Sequence, residues 1–117
     1  MTHAELLNAI QLEFSHGHTR LLRANVGQGW TGKIIYQDHA KLILSPYRPF
    51  HAHREGVLDL IGWSAPGCVF TAIDGKVGRD RARAAQRVFA ELVLSCGVRA
   101  GFATSVEEAG QIIRGEK

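Results

Sequence analysis

The fold is decided by residues 56–76, which read GVLDLIGWSAPGCVFTAIDGK. Two apolar runs, Gly56–Trp63 and Val69–Lys76, flank the turn sequence Ser64–Gly67. Apolar runs separated by a proline-glycine turn predict two strands of an antiparallel hairpin. If that turn is centred on its Pro-Gly pair, residue i lies opposite residue 133 − i of the partner strand.

This arithmetic places Asp59 opposite Asp74, and it places Lys76 on the same face because side chains alternate with period two. Two facing carboxylates in an apolar hairpin repel each other unless positive charge lies between them. A divalent cation, helped by the neighbouring ammonium, is the expected occupant. Magnesium accepts one or two protein carboxylates. Gly75 points to the opposite face, so its carbonyl is expected to serve as a further oxygen ligand.

The remaining chain predicts a single domain over residues 1–117, of α/β class with a mixed sheet flanked by helices. Before the hairpin we expect a helix over about His3–His16, a strand Arg20–Val26, a glycine-rich turn Gly27–Gly32, short edge strands Lys33–Tyr36 and Lys41–Leu44, and an exposed loop Pro46–Glu55. After the hairpin we expect a helix Arg81–Cys96 with Asp80 as N-cap and a strand Val98–Ala103. A last helix is capped by Ser105 and runs through Ile113.

Gln86 falls at the edge of the predicted apolar stripe of the helix Arg81–Cys96, beside Val93. A polar side chain there can reach along the sheet face and orient Lys76 or a water. An ordinary surface position is the alternative for this residue. The stripe itself is expected to comprise Ala84, Ala85, Val88, Phe89, Leu92, Val93 and Cys96.

Composition indicates one hydrophobic core and a mild cationic surplus. The chain has 117 residues, 45% of them apolar, and carries 14 Lys and Arg against 11 Asp and Glu, a net charge of +3. Such a surplus suits an anionic partner. No apolar run is long enough to cross a bilayer. We therefore expect an intracellular, soluble protein whose Cys68 and Cys96 are small buried residues.

A larger pattern resembles the virus-type replication-repair nuclease (VRR-NUC) branch of the PD-(D/E)XK nucleases. The segments that carry the resemblance are Gly56–Gly62, Phe70–Lys76, Gln86, Arg23–Gly27 with Trp30–Lys33, and Ala103–Ala109. The resemblance implies a restriction-endonuclease-like mixed sheet and a metal-dependent DNA endonuclease that uses Mg²⁺ or Mn²⁺. Small stand-alone members of the group are phage-type homodimers associated with branched DNA such as Holliday junctions.

Carried onto this sequence, the resemblance implies Asp59, Asp74, Lys76 and Gln86 as catalytic residues. The metal ligands would be Asp59, Asp74 and the Gly75 carbonyl, with Glu5 as the candidate from the first helix. Two positions depart from the family pattern: Leu58 stands where Pro or Ser is usual, and Asp74 stands where Glu is usual. The shorter Asp74 keeps the charge, but it changes the position of a bound metal by about one methylene.

Cations from several segments are expected to contact the DNA backbone, giving salt-sensitive binding that is largely independent of base sequence. A solvated helix face is the alternative for the arginines after the hairpin. Trp30 either stacks on a base or packs half-buried in the core. A dimer contact is expected at Ile112 and Ile113 or at Lys41–Leu44. The candidate DNA-binding residues are Arg23, Lys33, Arg54, Arg79, Arg81 and Arg83.

Two other interpretations stay open. The chain could be a non-catalytic nucleic-acid-binding module on a nuclease scaffold, which the Asp74 departure allows. The two aspartates could also form a plain ion-pair cluster with Lys76 and nearby arginines.

Overall fold

The structure, a computed structural model, describes residues 1–24, 28–51 and 56–116. Their contacts divide the chain into two compact units, one within residues 1–24 and 56–116 and the other within 28–51. The described elements follow the order α1 (His3–Phe14), β1 (Arg20–Arg23), β2 (Gln28–Gln37), β3 (Leu42–His51), β4 (Leu60–Ser64), β5 (Val69–Gly75), α2 (Ala84–Ser95), β6 (Arg99–Ala103) and α3 (Val106–Ile113).

The first unit contains a four-stranded sheet in the order β1-β4-β5-β6. Strand β4 runs antiparallel to both β1 and β5, whereas β6 runs parallel to β5. The sheet is therefore mixed, and the predicted α/β class is confirmed for the part of the chain that the structure describes.

The predicted hairpin register is confirmed, because Leu60 pairs with Ile73 and Ser64 with Val69, and both pairs obey the 133 − i rule. Strand β4 is shorter than predicted, because pairing with β5 begins only at Leu60. Gly56, where the strand was expected to begin, has a φ of 94°. That left-handed conformation is incompatible with an extended strand.

The two faces of this sheet build two apolar clusters, because alternate residues of a strand point to opposite sides. Leu60 and Ile73 join residues of α1 and α3 in one cluster. Their chain neighbours Ile61 and Ala72 belong to the other cluster, which includes Ala90 and Val93 of α2. Helices α1 and α3 therefore cover one face, and α2 covers the other.

Helix α2 differs from its prediction in both its start and its buried face. It begins at Ala84 with Arg83 as N-cap, so Asp80 is not the cap. Its buried residues include Gln86, Ala90 and Val93. Val88 and Leu92 are 66% and 63% exposed, so the predicted stripe is wrong at these positions, whereas Val93 and Phe89 belong to the core cluster as expected. A count of apolar side chains misplaces the buried face of α2, because Gln86, near the start of the helix, is polar and yet buried and hydrogen-bonded.

The second unit is a two-stranded antiparallel ladder of β2 and β3. Gly32 lies within β2 and Pro46 and Pro49 lie within β3, so the predicted glycine turn and the predicted loop from Pro46 are wrong over the described residues. Each strand of a two-stranded ladder has one free edge, where proline costs no hydrogen bond. Predictions that fall on residues 25–27 and 52–55 lie outside the described residues.

Three further predictions are corrected by residue exposure. Cys68, in the turn after Pro66, and Cys96, at the C-terminal end of α2, are both exposed rather than buried. Ile112 and Ile113 are 1% and 8% exposed and pack in the cluster with α1. They are core residues of α3 and present no apolar surface for a dimer contact.

Candidate active site

Asp59 and Asp74 meet at the end of the β4–β5 hairpin. Asp59 immediately precedes β4, and Asp74 is the next-to-last residue of β5. The Asp59 N–H donates a hydrogen bond to Asp74 Oδ1 at 3.2 Å. The two acids are therefore brought together as the hairpin arithmetic predicts.

Lys76 supplies the positive charge next to this pair. Its Nζ lies 2.7 Å from Asp74 Oδ2, and the two side chains are 15% and 0% exposed respectively. The Lys76 N–H donates to the Ala103 carbonyl at 2.9 Å, which fixes the backbone just beyond the end of β5. A fully buried carboxylate is tolerated only when it is paired and hydrogen-bonded, and Lys76 provides the ion pair for Asp74.

Gln86 connects both partners of the ion pair to α2. Its Nε2 donates to Asp74 Oδ2 at 3.4 Å, and its Oε1 accepts from Lys76 Nζ at 3.0 Å. The same Oε1 accepts from the Arg83 N–H at 3.1 Å, at the start of the helix. The side chain is 3% exposed, so Gln86 is a buried positioning residue and not the surface residue of the alternative interpretation.

Helix α1 contributes His3 to the site. Thr2 caps the helix by accepting from the Glu5 N–H at 3.1 Å, and this places His3 in the first turn. His3 Nε2 lies 2.8 Å from Asp59 Oδ2. Glu5, the candidate ligand named from the sequence, is exposed and lines no part of the site cavity. Sequence reasoning missed His3, although its i, i+3, i+4, i+7 spacing with Leu6, Leu7 and Ile10 puts it on the buried side of α1.

Burial and the neighbouring carboxyl of Asp74 raise the pKa of Asp59 from 3.8 to about 6. Burial contributes most, followed by a hydrogen bond with Asp74 and repulsion from its charge, and His3 acts in the opposite direction. A second negative charge at Asp59 is thus unfavourable beside Asp74. A cation can neutralise this excess negative charge in place of a proton on Asp59.

The donor chemistry fits a hard divalent cation. Among residues 1–24, 28–51 and 56–116, no three His, Cys, Asp or Glu side chains are grouped to hold a metal. Two protein carboxylates nevertheless match the usual share that Mg²⁺ takes from a protein, since water and substrate phosphate supply its other ligands. Gly75 faces α1 as predicted, because a Cβ added there would lie 2.9 Å from Leu7 Cδ2.

Two of the predicted DNA-binding arginines lie at the site. Arg81 and Arg83 line a cavity together with His3, Asp59 and Lys76, and with Asp80 and Gln86. Arg81 Nη1 also donates to the carbonyls of Arg79 and Asp80, and these bonds tie its guanidinium to the backbone just before α2.

The other predicted DNA-binding residues are not brought to this cavity by any described contact. Arg79 is exposed and does not line it. Arg23 lies in β1, where its Nη1 donates to Asn8 Oδ1 at 3.2 Å. Lys33 belongs to the β2–β3 unit, and Arg54 lies outside the described residues.

Within the described part of the chain, no helix has the length and apolar character needed to cross a membrane. Comparisons of the chain with protein-family models, curated proteins and solved structures gave no match.

Proposed function

We propose that the chain is a divalent-metal-dependent DNA endonuclease of the PD-(D/E)XK class, related to the VRR-NUC branch. One observation carries the proposal: a facing carboxylate pair, Asp59 and Asp74, stands beside a lysine whose ammonium is 2.7 Å from the buried acid. The mixed sheet flanked by helices agrees with the architecture that the sequence resemblance implies.

Asp59, Asp74 and the Gly75 carbonyl would hold Mg²⁺ or Mn²⁺. When bound, such an ion lowers the pKa of a ligated water and neutralises charge that develops on the scissile phosphate. The raised pKa of Asp59 fits this assignment, because it marks a carboxylate whose charge is disfavoured by burial and by Asp74 and would be stabilised by a bound cation.

Lys76 has three N–H donors, and two of them point to Asp74 and Gln86. The third can hold the attacking water or an oxygen of the scissile phosphate. Gln86 fixes the ammonium through its own bonds to Asp74 and to the Arg83 N–H. Water adds to phosphorus, the P–O bond to the leaving oxygen breaks, and the proton released by the water ends on that oxygen.

Arg81 and Arg83 suit the approach of a phosphate, because both line the cavity that Asp59 and Lys76 also line. A guanidinium binds phosphate oxygens in pairs. A preference for branched DNA and a homodimeric state follow from the resemblance, and we include both in the proposal.

Cleavage assays on labelled duplex, single-stranded, forked and four-way DNA with Mg²⁺ or Mn²⁺ test the proposal. We expect Asp59→Ala and Lys76→Ala to reduce cutting at least ~100-fold, the usual scale for losing such a group. The matched control is Glu91→Ala, an exposed acid on α2, which should cut like the unmodified protein. Unchanged cutting by either site variant would refute the assignment.

The second candidate is a nucleic-acid-binding module without catalysis, favoured by one observation: Asp74 replaces the usual glutamate. Binding without cleavage by the unmodified protein, and also by Asp74→Glu, would select the module. Light scattering at micromolar concentration tests the dimer separately, and a clean monomer would remove it.

A further inference from the structure

The two faces of the four-stranded sheet are unequally covered. On one face α1 lies against β1 and β5, and α3 lies against β5 and β6. On the other face α2 is the one covering helix among the described residues, and it lies against β6. A helix is about 10 Å wide and neighbouring strands are about 4.8 Å apart, so one helix covers about two strands. The β1 side of this second face is therefore left open.

Large apolar side chains occupy the open part of the sheet. Leu22 of β1 is 53% exposed and lies opposite Ile61 of the α2 cluster, whereas its chain neighbour Leu21, on the other face, is 1% exposed. Trp63 and Phe70 pair with each other on the same face as Leu22 and are 38% and 40% exposed. We call Leu22, Trp63 and Phe70 the open face. Apolar groups gathered on one surface in this way indicate a contact with another molecule.

Helix α2 carries an apolar strip next to the open face. Val88 and Leu92, which we call the α2 strip, are one turn apart on the helix and are 66% and 63% exposed. Phe89, their neighbour on the helix surface, packs against the cluster beneath α2. Ala85 lies on the same side as Leu92 and faces the chain that leads into β4, because a Cβ on Gly56 would lie 3.0 Å from the Ala85 Cβ. The α2 strip therefore borders the open face.

A ridge beside a groove is complementary to itself under a two-fold rotation. The α2 strip is the ridge, and the open face is the floor of a groove about one helix wide. A second copy of the chain, rotated by 180°, can place its α2 on this open face and accept this α2 on its own. The second face of each sheet then has two covering helices, as the first face already has.

The charges around this surface permit contact between two identical copies. The open face and the α2 strip contain no charged side chain. Arg20 lies beside the open face, because it pairs with Trp63. Its Nη1 donates to the carbonyls of Gly17 at 2.8 Å and Thr19 at 2.7 Å, so the guanidinium is tied to its own loop. The centre of a contact between two copies is therefore free of like-charge repulsion.

The exposed area suits a dimer of modest affinity. Burial removes about 150–250 Å² of surface from a Phe or Trp and about 60–120 Å² from a Val or Leu. At their exposed fractions, the five side chains present roughly 200–400 Å² per copy. A standard interface takes about 800 Å² per partner, of which about 65% is apolar in homodimers. The five side chains supply roughly half of that apolar area, so we expect dissociation in the micromolar range.

We propose that two copies of the chain associate through this surface, each placing its α2 strip on the open face of the other. The inference rests on the proposed function in one respect, since it deepens the homodimer proposed there by naming the contact. Phe70 precedes Asp74 by four residues of β5, about 13 Å along the strand. The contact therefore lies away from the carboxylate pair.

Sedimentation velocity of the full chain across the micromolar range tests the association. The unmodified protein should pass from monomer to dimer as its concentration rises. Leu92→Glu and Val88→Glu should each raise the dissociation constant at least about tenfold, because the two-fold symmetry brings two unpaired charges into the apolar contact. Both sites are exposed in the single chain, so the variants should fold, and circular dichroism verifies this. The control is Leu12→Glu, at an 86% exposed site on α1, which should dimerise like the unmodified protein.

Fluorescence of Trp63 tests whether the open face itself is covered. Trp30→Phe leaves Trp63 as the one tryptophan of the chain. In that background the emission should shift to longer wavelength on dilution, because dissociation exposes the ring to water. With Leu92→Glu added, the emission should no longer depend on protein concentration.

The outcomes separate this inference from the nuclease assignment. A monomer at every concentration would overturn the inference, and so would a dimer that Leu92→Glu and Val88→Glu leave intact. Dimerisation without any change in Trp63 emission would also overturn it, because the open face would then stay exposed. Dimerisation that both charge variants weaken, in a protein that never cuts DNA, would support this surface and overturn the nuclease.

Discussion

The carboxylate pair predicts a specific dependence of stability on pH, which Asp59→Asn should remove. The pKa of Asp59 is raised from 3.8 to about 6 in the folded chain. The folded state thus holds the proton more tightly than the unfolded state does. The resulting stabilisation is complete below about pH 4 and is lost as the pH rises through about 6.

The magnitude follows from the shift. A rise of about two pKa units corresponds to about 3 kcal/mol, and the 26% exposure of the Asp59 side chain reduces this to about 1–2 kcal/mol through solvent screening. Asparagine cannot ionise. In EDTA, the free energy of unfolding of Asp59→Asn should therefore gain about 1–2 kcal/mol relative to the unmodified protein between pH 4 and pH 8.

Urea unfolding followed by circular dichroism at several pH values measures this difference. Glu91→Gln, which removes an exposed carboxylate of α2, is the control and should follow the unmodified protein. A constant difference between Asp59→Asn and the unmodified protein from pH 4 to pH 8 would refute the claim that burial and the Asp74 carboxyl raise the pKa of Asp59.

Three other substitutions test the packing around the site. Gln86→Ala should lower the free energy of unfolding, measured in urea, by about 1–3 kcal/mol, because Asp74 and Lys76 each lose a hydrogen bond. Arg87 is exposed on the same helix, so Arg87→Ala should change it little. Gly75→Ala should lower the free energy of unfolding by about 1–3 kcal/mol, because the added methyl group meets Leu7. In a Leu7→Ala background the same substitution should cost less, and effects that simply add would contradict the contact. Ile112→Ala should lower the free energy of unfolding by about 2–5 kcal/mol, because it removes a buried side chain from the core. Leu12→Ala, at a site that is 86% exposed, should leave it unchanged. Equal effects of the two substitutions would contradict the placement of α3.

The hairpin register was predictable because a short turn fixes which residues face each other. Once Pro66 and Gly67 are taken as the centre, the register of the hairpin and the proximity of Asp59 to Asp74 follow by counting, although β4 begins later than expected, at Leu60. A local rule of chain geometry sufficed there.

The buried face of α2 was not predictable in this way. Periodicity ranks positions by apolar character, whereas Gln86 is buried because Lys76 and Asp74, distant in sequence, satisfy its amide. Val88 and Leu92 are exposed although both are apolar. The contact between His3 and Asp59 was not predictable for the same reason, since the two residues are far apart in sequence and only the fold brings them together.

The β2–β3 ladder shows the limit of composition. Glycine and proline are typical of turns, but Gly32 permits a close cross-strand approach, and Pro49 takes its place opposite Trp30 within the ladder. Both residues are compatible with a strand that has a free edge.

Anomalous diffraction from crystals soaked in Mn²⁺ tests the central claim most directly. The account predicts one manganese peak in contact with the carboxylates of Asp59 and Asp74, and its loss in Asp59→Asn crystals soaked in the same way. A peak only at other residues, or no peak beside this pair in the unmodified protein, would contradict it.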